Sequence, residues 1–145
     1  MQVKKISDQK IVNTDKIRKL FLIFNHEITK EQVENAQNKH GITDFLEMPH
    51  ELKEIWKQIP ADDEHIAGYL EPVKKWVLSQ AGKNDFLLVQ GDFGATYLMV
   101  DFAFTHGLIP VYSTTARQAA EFRQPDGSLK TEHVFRHRIF RKYGF

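Results

Sequence analysis

Two short apolar segments that show no alternation with polar residues constrain the fold of this chain most. Residues 17–24 read IRKLFLIF and end in five consecutive apolar side chains, and residues 84–90 read NDFLLVQ. A strand with one solvated face alternates apolar and polar residues, whereas a strand covered on both faces is apolar throughout. Both segments therefore predict parallel strands buried between two layers, and we expect residues 17–24 to form the central strand.

Each apolar segment leads through a polar turn into a helix. In the first case Thr29 is a suitable N-cap, and Gln32 three positions later completes a capping box. This helix is predicted to run to Gly41. The second apolar segment leads into a helix over residues 95–106, which Gly107 caps. Strand, polar turn and helix in this order are typical of α/β proteins.

The rest of the chain supplies the remaining elements. Pro110 has no backbone donor, so its strand is predicted to lie at an edge or to pair mainly on one side at the proline. Residues 125–128, Pro-Asp-Gly-Ser, predict a turn between two antiparallel strands. The predicted elements are a strand over residues 42–48, a short helix over 49–59, a helix over 62–81 closed by Gly82, a strand over 108–113, and hairpin strands over 119–124 and 129–140.

Repeated strand-helix-strand units indicate the fold class. They favour an α/β protein with a mostly parallel, Rossmann-like sheet, helices on both faces and a C-terminal β-hairpin that extends or covers the sheet. The chain has 145 residues, of which 41% are hydrophobic and 27% are charged, as in one domain with its own core. We predict a single domain over residues 1–145, in which residues 1–16 form a flexible or peripheral arm.

Composition excludes several classes of protein and site. Cysteine is absent, which rules out a disulfide framework, a thiolate zinc site and a cysteine nucleophile. His133 and His137 would lie about 13 Å apart on a strand, too far for one ion, so we predict no metal and no cofactor. A net charge of +1 argues against coating long nucleic acid but allows a small anionic ligand. Without a membrane-spanning stretch or signal peptide, the chain is expected to be cytoplasmic with no membrane partner.

Ligands of open parallel sheets bind beyond the carboxyl ends of the strands. That rule selects three donor-rich segments, residues 25–27, 90–94 and 113–117. His26 in the first can donate to a phosphate or exchange a proton near neutral pH, or it is a structural histidine. The third segment offers hydroxyl groups and a guanidinium to phosphate oxygens, or it is a turn that caps a short helix. Its polar residues are Ser113, Thr114, Thr115 and Arg117.

The segment Gln-Gly-Asp-Phe-Gly-Ala-Thr, residues 90–96, combines small residues with a helix start. Two glycines and an alanine let a ligand approach the backbone, and the first amides of the helix can face a phosphate or carboxylate. The segment matches neither the dinucleotide-binding fingerprint nor the Walker loop. Asp92 can instead serve only as the N-cap of the next helix.

The helix predicted over residues 95–106 is apolar around most of its circumference. Its polar positions are Thr96, Asp101 and Thr105. A helix of this kind is usually covered on two sides, and a second copy of the chain is one source of the second cover.

Residues 24–29, 90–97 and 107–115 together resemble the small Csx-type proteins of type III CRISPR loci, a group associated with cyclic-oligoadenylate ring nucleases. The resemblance covers most of the chain. It implies a CARF-like version of the predicted fold and a homodimer that holds cyclic tetra-adenylate across its two-fold axis and degrades it to linear di-adenylate products. This activity would switch off the antiviral signal. The similar segments are residues 24–29, 31–32, 90–97 and 107–115, together with Arg117 and His133-x-Phe135-x-His137.

The resemblance also implies roles for individual residues. Residues 91–94 would cradle phosphate, Arg117 would stabilise charge, and His26 or Asp92 would transfer a proton or orient the ribose. The ribose 2′-hydroxyl can attack its own 3′-phosphate without a metal if the sugar is held in line. A non-catalytic sensor or sequestering module and a structural protein are the alternatives. The expected ligand-binding residues are Asn25, Gln90, Gly91, Phe93, Gly94, Thr96, Ser113, Thr114 and Thr115.

Overall fold

The computed structural model describes residues 17–145, and the predicted arm over residues 1–16 lies outside the described residues. Strands and helices alternate along the first part of the chain, and two long strands end it. In chain order the elements are β1 (Lys19–Ile23), α1 (Lys30–His40), β2 (Asp44–Glu47), α2 (His50–Lys57), a 3₁₀ helix (Ala67–Leu70), α3 (Glu71–Gln80), β3 (Phe86–Val89), α4 (Phe93–Thr105), β4 (Ile109–Arg123) and β5 (Leu129–Lys142).

The five strands form one sheet in the order β2-β1-β3-β4-β5. The first four strands in this order are parallel, and β5 runs antiparallel to β4. The predicted mostly parallel α/β fold with a C-terminal hairpin is therefore confirmed. As expected for a buried strand, β1 is paired on both sides, but β3 and not β1 occupies the middle of the sheet.

Apolar side chains on both faces of the sheet explain why the strand sequences do not alternate. Phe21 and Ile23 point towards α2, α3 and α4 and pack around the buried Trp56. Leu20 and Leu22 point to the opposite face, which α1 covers. Helices therefore cover both faces, as the sequence predicts.

The predicted helix ends match the structure where a local capping signal defines them. Thr29 and Gln32 form both hydrogen bonds of the capping box at the start of α1, and Gly41 ends that helix with φ at 65°. Helix α4 begins two residues earlier than predicted, because Asp92 is its N-cap and accepts from the Ala95 amide at 3.0 Å. Within residues 17–145, no helix has the length and apolar character needed to cross a membrane.

The helix predicted over residues 62–81 is shorter than expected. Residues 62–66 are not helical, a 3₁₀ turn follows them, and α3 starts at Glu71. Pro72 lies in the first turn of α3, where its missing N–H removes no intrahelical bond, so it favours a helix that begins there. Gly82 does not close the helix by a left-handed turn; its amide donates to the Asp85 carboxylate at 2.7 Å.

Strand β4 differs most from the prediction. It runs without interruption from Ile109 to Arg123, so the predicted loop over residues 113–117 lies within it. Although β3 ends at Val89, β5 continues to pair with β4 as far as Arg123 and supplies the backbone partners that a strand needs. The turn over residues 124–128 joins β4 to β5, as predicted, and is closed by the Gln124 amide donating to the Ser128 carbonyl at 2.8 Å.

Pro110 does not lie on an edge strand, because β4 is paired with β3 on one side and with β5 on the other. At the proline itself, β4 is in register with Leu87 of β3, and the Pro110 carbonyl accepts from the Tyr143 amide, just beyond β5, at 3.0 Å. The strand therefore has a neighbour on both sides even here, and the prediction of an edge or one-sided strand is wrong. The missing N–H is tolerated because the register with β5 starts only at Val111.

Gly91, directly after β3, leaves no room for a side chain. A Cβ atom at this position would lie 2.7 Å from Nε1 of Trp56, whose indole is buried and donates to the Gln90 carbonyl at 3.0 Å. We expect Gly91→Ala to lower the free energy of unfolding by about 1–3 kcal/mol, because neither the indole nor the backbone can move freely. Urea denaturation measures this loss. Gly68→Ala is the control, since no atom lies within 4 Å of its Cβ position; equal stability of the two variants would contradict the prediction.

Candidate functional site

Polar side chains from α1, β4, β5 and the residue after β3 meet around Ser113, beyond the carboxyl end of β3. The Ser113 amide donates to Oε1 of Gln90 at 2.7 Å. The Ser113 hydroxyl lies 2.6 Å from Nδ1 of His137 and accepts from Nε2 of Gln32 at 3.3 Å. Nε2 of His137 lies 2.9 Å from Oδ1 of Asn35. We call these five residues, Gln32, Asn35, Gln90, Ser113 and His137, the Ser113 network.

The first turn of α1 and the β4–β5 ladder position the network. Oε1 of Gln32 accepts from the Thr29 amide at 2.9 Å in the capping box, which leaves its amide nitrogen for Ser113. Gln32 is only 8% exposed, and these two hydrogen bonds satisfy both ends of its buried amide. Asn35 lies one turn further along the same face of α1 and reaches His137. The antiparallel pairing places His137 opposite Thr115, two residues beyond Ser113.

The hydrogen-bond partners of His137 indicate the tautomer of its neutral ring. In that form Nε2 donates to the side-chain oxygen of Asn35, and Nδ1 accepts from the Ser113 hydroxyl. Burial lowers the pKa of His137 below its ordinary value of 6.5, and the carboxylate of Glu31 opposes this effect. A neutral imidazole that is held by a third group and bonded to a hydroxyl is able to accept a proton.

A cleft of about 490 Å³ lies between the first turn of α1 and the hairpin, and the network forms part of its wall. Its charged residues are Lys30, Glu31 and Arg136, and Nη1 of Arg136 lies 3.0 Å from Oε1 of Glu31. Ser113, Thr115 and His137 are among the polar groups of this wall. We call this space the polar cleft.

A second cleft of about 240 Å³ lies beside the start of α4 and is lined mainly by aromatic residues. The rings of Tyr112 and Tyr143 are 4.8 Å apart. The Tyr143 hydroxyl donates to the Val89 carbonyl at 2.6 Å, and burial raises the pKa of this phenol. The hydroxyl of Thr96 is buried and has no hydrogen-bond partner among the described residues. We call this space, lined by Gln90, Gly91, Phe93, Thr96, Tyr112 and Tyr143, the aromatic cleft.

The two clefts lie on opposite sides of β4. Tyr112 and Ser113 are consecutive residues of this strand, so their side chains point to opposite faces. Gln90 connects the clefts, because it lines the aromatic cleft and its side chain binds the Ser113 amide. The carboxyl end of β3 therefore borders both spaces, where the topology of an open parallel sheet predicts ligand binding.

Most of the expected ligand-binding residues line one of the two clefts. Ser113 and Thr115 line the polar cleft, and four residues of the segment after β3 line the aromatic cleft. Thr114 lies at the bulge of β4, where its hydroxyl accepts from the Ile139 amide and donates to the Ile139 carbonyl. Asn25 and Gly94 are exposed and line neither cleft.

The structure does not bring His26, Asp92 and Arg117 together in one cleft. His26 is exposed, its ring centroid is 6.1 Å from that of Phe24, and it lines neither cleft. The Asp92 carboxylate accepts from the first turn of α4. Arg117 is exposed on the hairpin two residues beyond Thr115, on the same face of the strand, and therefore lies near the mouth of the polar cleft.

Sequence reasoning missed three members of the network. His137 was examined as a metal ligand and belongs to the segments of the resemblance, but it was not predicted as a site residue. Among the described residues, no group of three His, Asp or Glu side chains could hold a metal ion. Gln32 was explained by its capping box alone. The available signal was the spacing of Gln32 and Asn35, which places two amides on the face of α1 that also buries Ala36.

Comparisons with known proteins match almost the whole described chain. The model of the "Uncharacterized protein MJ1673 family" matches residues 18–141, a range that includes the whole Ser113 network. The "Uncharacterized protein MJ1673" of Methanocaldococcus jannaschii is 45% identical over 125 residues, which cover 86% of this chain and 96% of the relative. No solved structure matches the chain.

The lowered pKa of His137 predicts a pH dependence of stability. Below pH 6.5 the unfolded chain binds a proton at His137 that the folded protein does not bind. The stability linked to this group is therefore complete above pH 6.5 and is lost as the pH falls towards the folded pKa. We expect His137→Gln to lose less stability than the wild type between about pH 7 and pH 5, as measured by urea denaturation at each pH.

Two comparisons isolate the effect of His137. Burial also lowers the pKa of His40, but His40 is present in both proteins and cancels in the difference. His133→Gln changes an exposed histidine of the same strand and should follow the wild-type pH dependence. If the free energy of unfolding changes with pH in the same way in His137→Gln and in the wild type, the fold does not hold His137 in its neutral form.

Proposed function

The chain belongs to the Uncharacterized protein MJ1673 family, and we propose that it binds cyclic tetra-adenylate in the cytoplasm and cleaves it to linear di-adenylate products. Such a ring nuclease would switch off type III CRISPR antiviral signalling. One observation carries the proposal: the hydrogen bond between Ser113 and a neutral His137 in the wall of the polar cleft. The resemblance of several sequence segments to ring-nuclease-associated proteins supports the choice of ligand.

Size and charge of the polar cleft support a nucleotide ligand. A volume of about 490 Å³ lies within the range of small-molecule sites. Lys30 and Arg136 can meet phosphate oxygens, and Arg117 near the mouth can reach a phosphate of a larger ligand. One such cleft holds part of a four-nucleotide ring, so we propose that two copies of the chain bind one ring across a two-fold axis.

In the proposed reaction, the ribose 2′-hydroxyl gives its proton to the Ser113 hydroxyl, which passes its own proton to Nδ1 of His137. The 2′-oxygen forms a bond to the adjacent phosphorus, and the bond from phosphorus to the 5′-oxygen breaks. A 2′,3′-cyclic phosphate and a 5′-oxygen result. The 5′-oxygen takes a proton from water, and the hydroxide that forms recovers a proton from the imidazolium of His137, which returns to its neutral form. The hydrogen bond from His137 to Asn35 disperses the imidazolium charge that forms.

Proton transfer is thereby assigned to His137 in place of His26 or Asp92. His26 lines neither cleft, and the Asp92 carboxylate is bonded to the Ala95 amide. Arg117 keeps its proposed role of stabilising phosphate charge. No metal ion is needed in this scheme, because the nucleophile belongs to the substrate and the protein supplies its orientation.

A second candidate, sequestration of the ring without cleavage, is favoured by a different observation. Both ring nitrogens of His137 already have protein partners, so the network is satisfied without a ligand. In a sequestering protein these bonds would simply hold the hairpin against α1 while the clefts retain the ring.

Incubating the purified protein with labelled cyclic tetra-adenylate in the presence of a chelator tests the proposed function. We expect linear di-adenylate to accumulate, and we expect His137→Gln to slow its formation by about 100-fold or more, since acid–base groups contribute at least this factor. Ring affinity should stay within a few-fold of wild type. His133→Gln is the matched control and should cleave normally. Tight retention of an intact ring by the wild type would favour sequestration and exclude the nuclease.

Asn35→Asp provides a readout that a purely structural role of His137 would not change. A carboxylate at Nε2 favours the charged imidazole and raises the pKa of His137. The acid limb of the pH–rate profile should therefore move to higher pH, as followed by ring cleavage across the pH range. A profile that coincides with that of the wild type would exclude His137 as the proton acceptor.

A further inference from the structure

Two exposed aromatic side chains stand next to the aromatic cleft. Phe93 is 95% exposed and Tyr97, one turn later on α4, is 70% exposed. Exposure of large apolar side chains to water is unfavourable, and a partner that covers them lowers the free energy. Phe93 also lines the cleft itself, so a ligand in the cleft would contact its ring.

The far wall of the cleft is a rigid aromatic surface. Tyr112 is held by Arg141, whose guanidinium lies 5.5 Å from the ring centroid and donates to the Tyr112 hydroxyl at 2.9 Å. Tyr143 packs against Tyr112 and is anchored by its bond to the Val89 carbonyl. Ordered rings of this kind form a stacking surface for a planar ligand at a small entropic cost.

The polar groups of the cleft select a ligand with hydrogen-bonding edges. Thr96 lines the cleft, and its hydroxyl is buried without a partner among the described residues. The unmade hydrogen bond costs free energy, which a ligand that bonds to this hydroxyl would recover. The carboxamide of Gln90 lines the same space. A purely apolar ligand would leave the Thr96 hydroxyl unsatisfied.

A phosphate fits this cleft poorly, although the family resemblance implies that residues 91–94 cradle phosphate. The Asp92 carboxylate already accepts from the Ala95 amide in the first turn of α4. A phosphate at the helix start would therefore lie beside a like charge and would lose that amide as a donor. A neutral, planar group avoids both penalties.

We infer that the aromatic cleft is a binding subsite for a purine base, stacked against Phe93 and the Tyr112–Tyr143 surface and bonded to Thr96. Its volume of about 240 Å³ is smaller than that of sites for larger ligands and suits a single base. The inference deepens the proposed function and rests on it for the identity of the base, which would be an adenine of the cyclic oligoadenylate.

The two clefts border the same edge of β4. Beyond Val111, β4 pairs with β5 alone, so its edge towards β3 has no further strand partner. Gln90 lies at this edge and binds Ser113.

The experiment compares adenosine 5′-monophosphate with ribose 5-phosphate, which lacks only the base, by titration calorimetry. We expect the mononucleotide to bind at least about tenfold more tightly, because stacking of one base contributes this much or more. Phe93→Ala and Thr96→Val should each weaken mononucleotide binding about five- to tenfold without affecting ribose 5-phosphate. Thr96→Val removes the unpaired hydroxyl at constant shape and should leave the fold as stable as in the wild type.

Phe104→Ala is the matched control, since Phe104 is a half-exposed aromatic residue at the other end of the same helix. Equal affinities for the two ligands, or an unchanged mononucleotide affinity in Phe93→Ala, would overturn the inference. If Phe93→Ala instead converts a dimer to a monomer in light scattering and binding is unaffected, the exposed rings form an interface between copies and the base subsite is excluded.

Ring cleavage, assayed in parallel, separates this inference from the proposed function. Discrimination between the two ligands without cleavage of cyclic tetra-adenylate would support the base subsite and contradict the nuclease. Normal cleavage without such discrimination would support the nuclease and overturn the subsite.

Discussion

Both clefts depend on the antiparallel ladder between β4 and β5. The ladder returns the chain along its own path, so His137 comes to lie beside Ser113 although 24 positions separate them. It also places Tyr143 next to Tyr112 on the other face. Neither pair could form from the parallel strands alone, because β3 ends before β4 reaches Tyr112 and Ser113, the residues that line the clefts. The hairpin therefore does more than extend the sheet: it completes the site.

A two-stranded ribbon is only marginally stable by itself, so this hairpin needs contacts with the rest of the protein. The polar side-chain contacts between β5 and α1 include the hydrogen bond of His137 to Asn35 and the ion pair of Arg136 with Glu31. The first of these belongs to the Ser113 network, and the second lies in the polar cleft. The groups proposed to act on a ligand are thus also groups that hold the hairpin in place. For this reason, measurements on His137 need separate readouts for stability and for proton transfer.

Local sequence signals predicted the parts of the fold that local interactions determine. The apolar runs gave buried strands, and Thr29, Gln32 and Gly41 gave the two ends of α1. The prediction of a loop over residues 113–117 was wrong. Ser-Thr-Thr after a strand that contains proline is typical of a turn, but here an antiparallel partner from far along the sequence keeps these residues extended. The carboxyl-end rule selected Gln90 and Ser113, but His137 and Asn35 join the site only through that long-range pairing. Sequence spacing could not reveal this pairing.

The register of the ladder decides which residue faces which cleft. Successive strand residues point to opposite faces, so a slip of one residue would exchange Tyr112 with Ser113 and disrupt both sites. The bulge between Ser113 and Thr115 prevents such a slip, because the Thr114 hydroxyl binds both the amide and the carbonyl of Ile139. The Thr114 hydroxyl therefore replaces a backbone hydrogen-bond partner at the bulge. Although it lines neither cleft, this threonine is a residue on which the arrangement of both clefts depends.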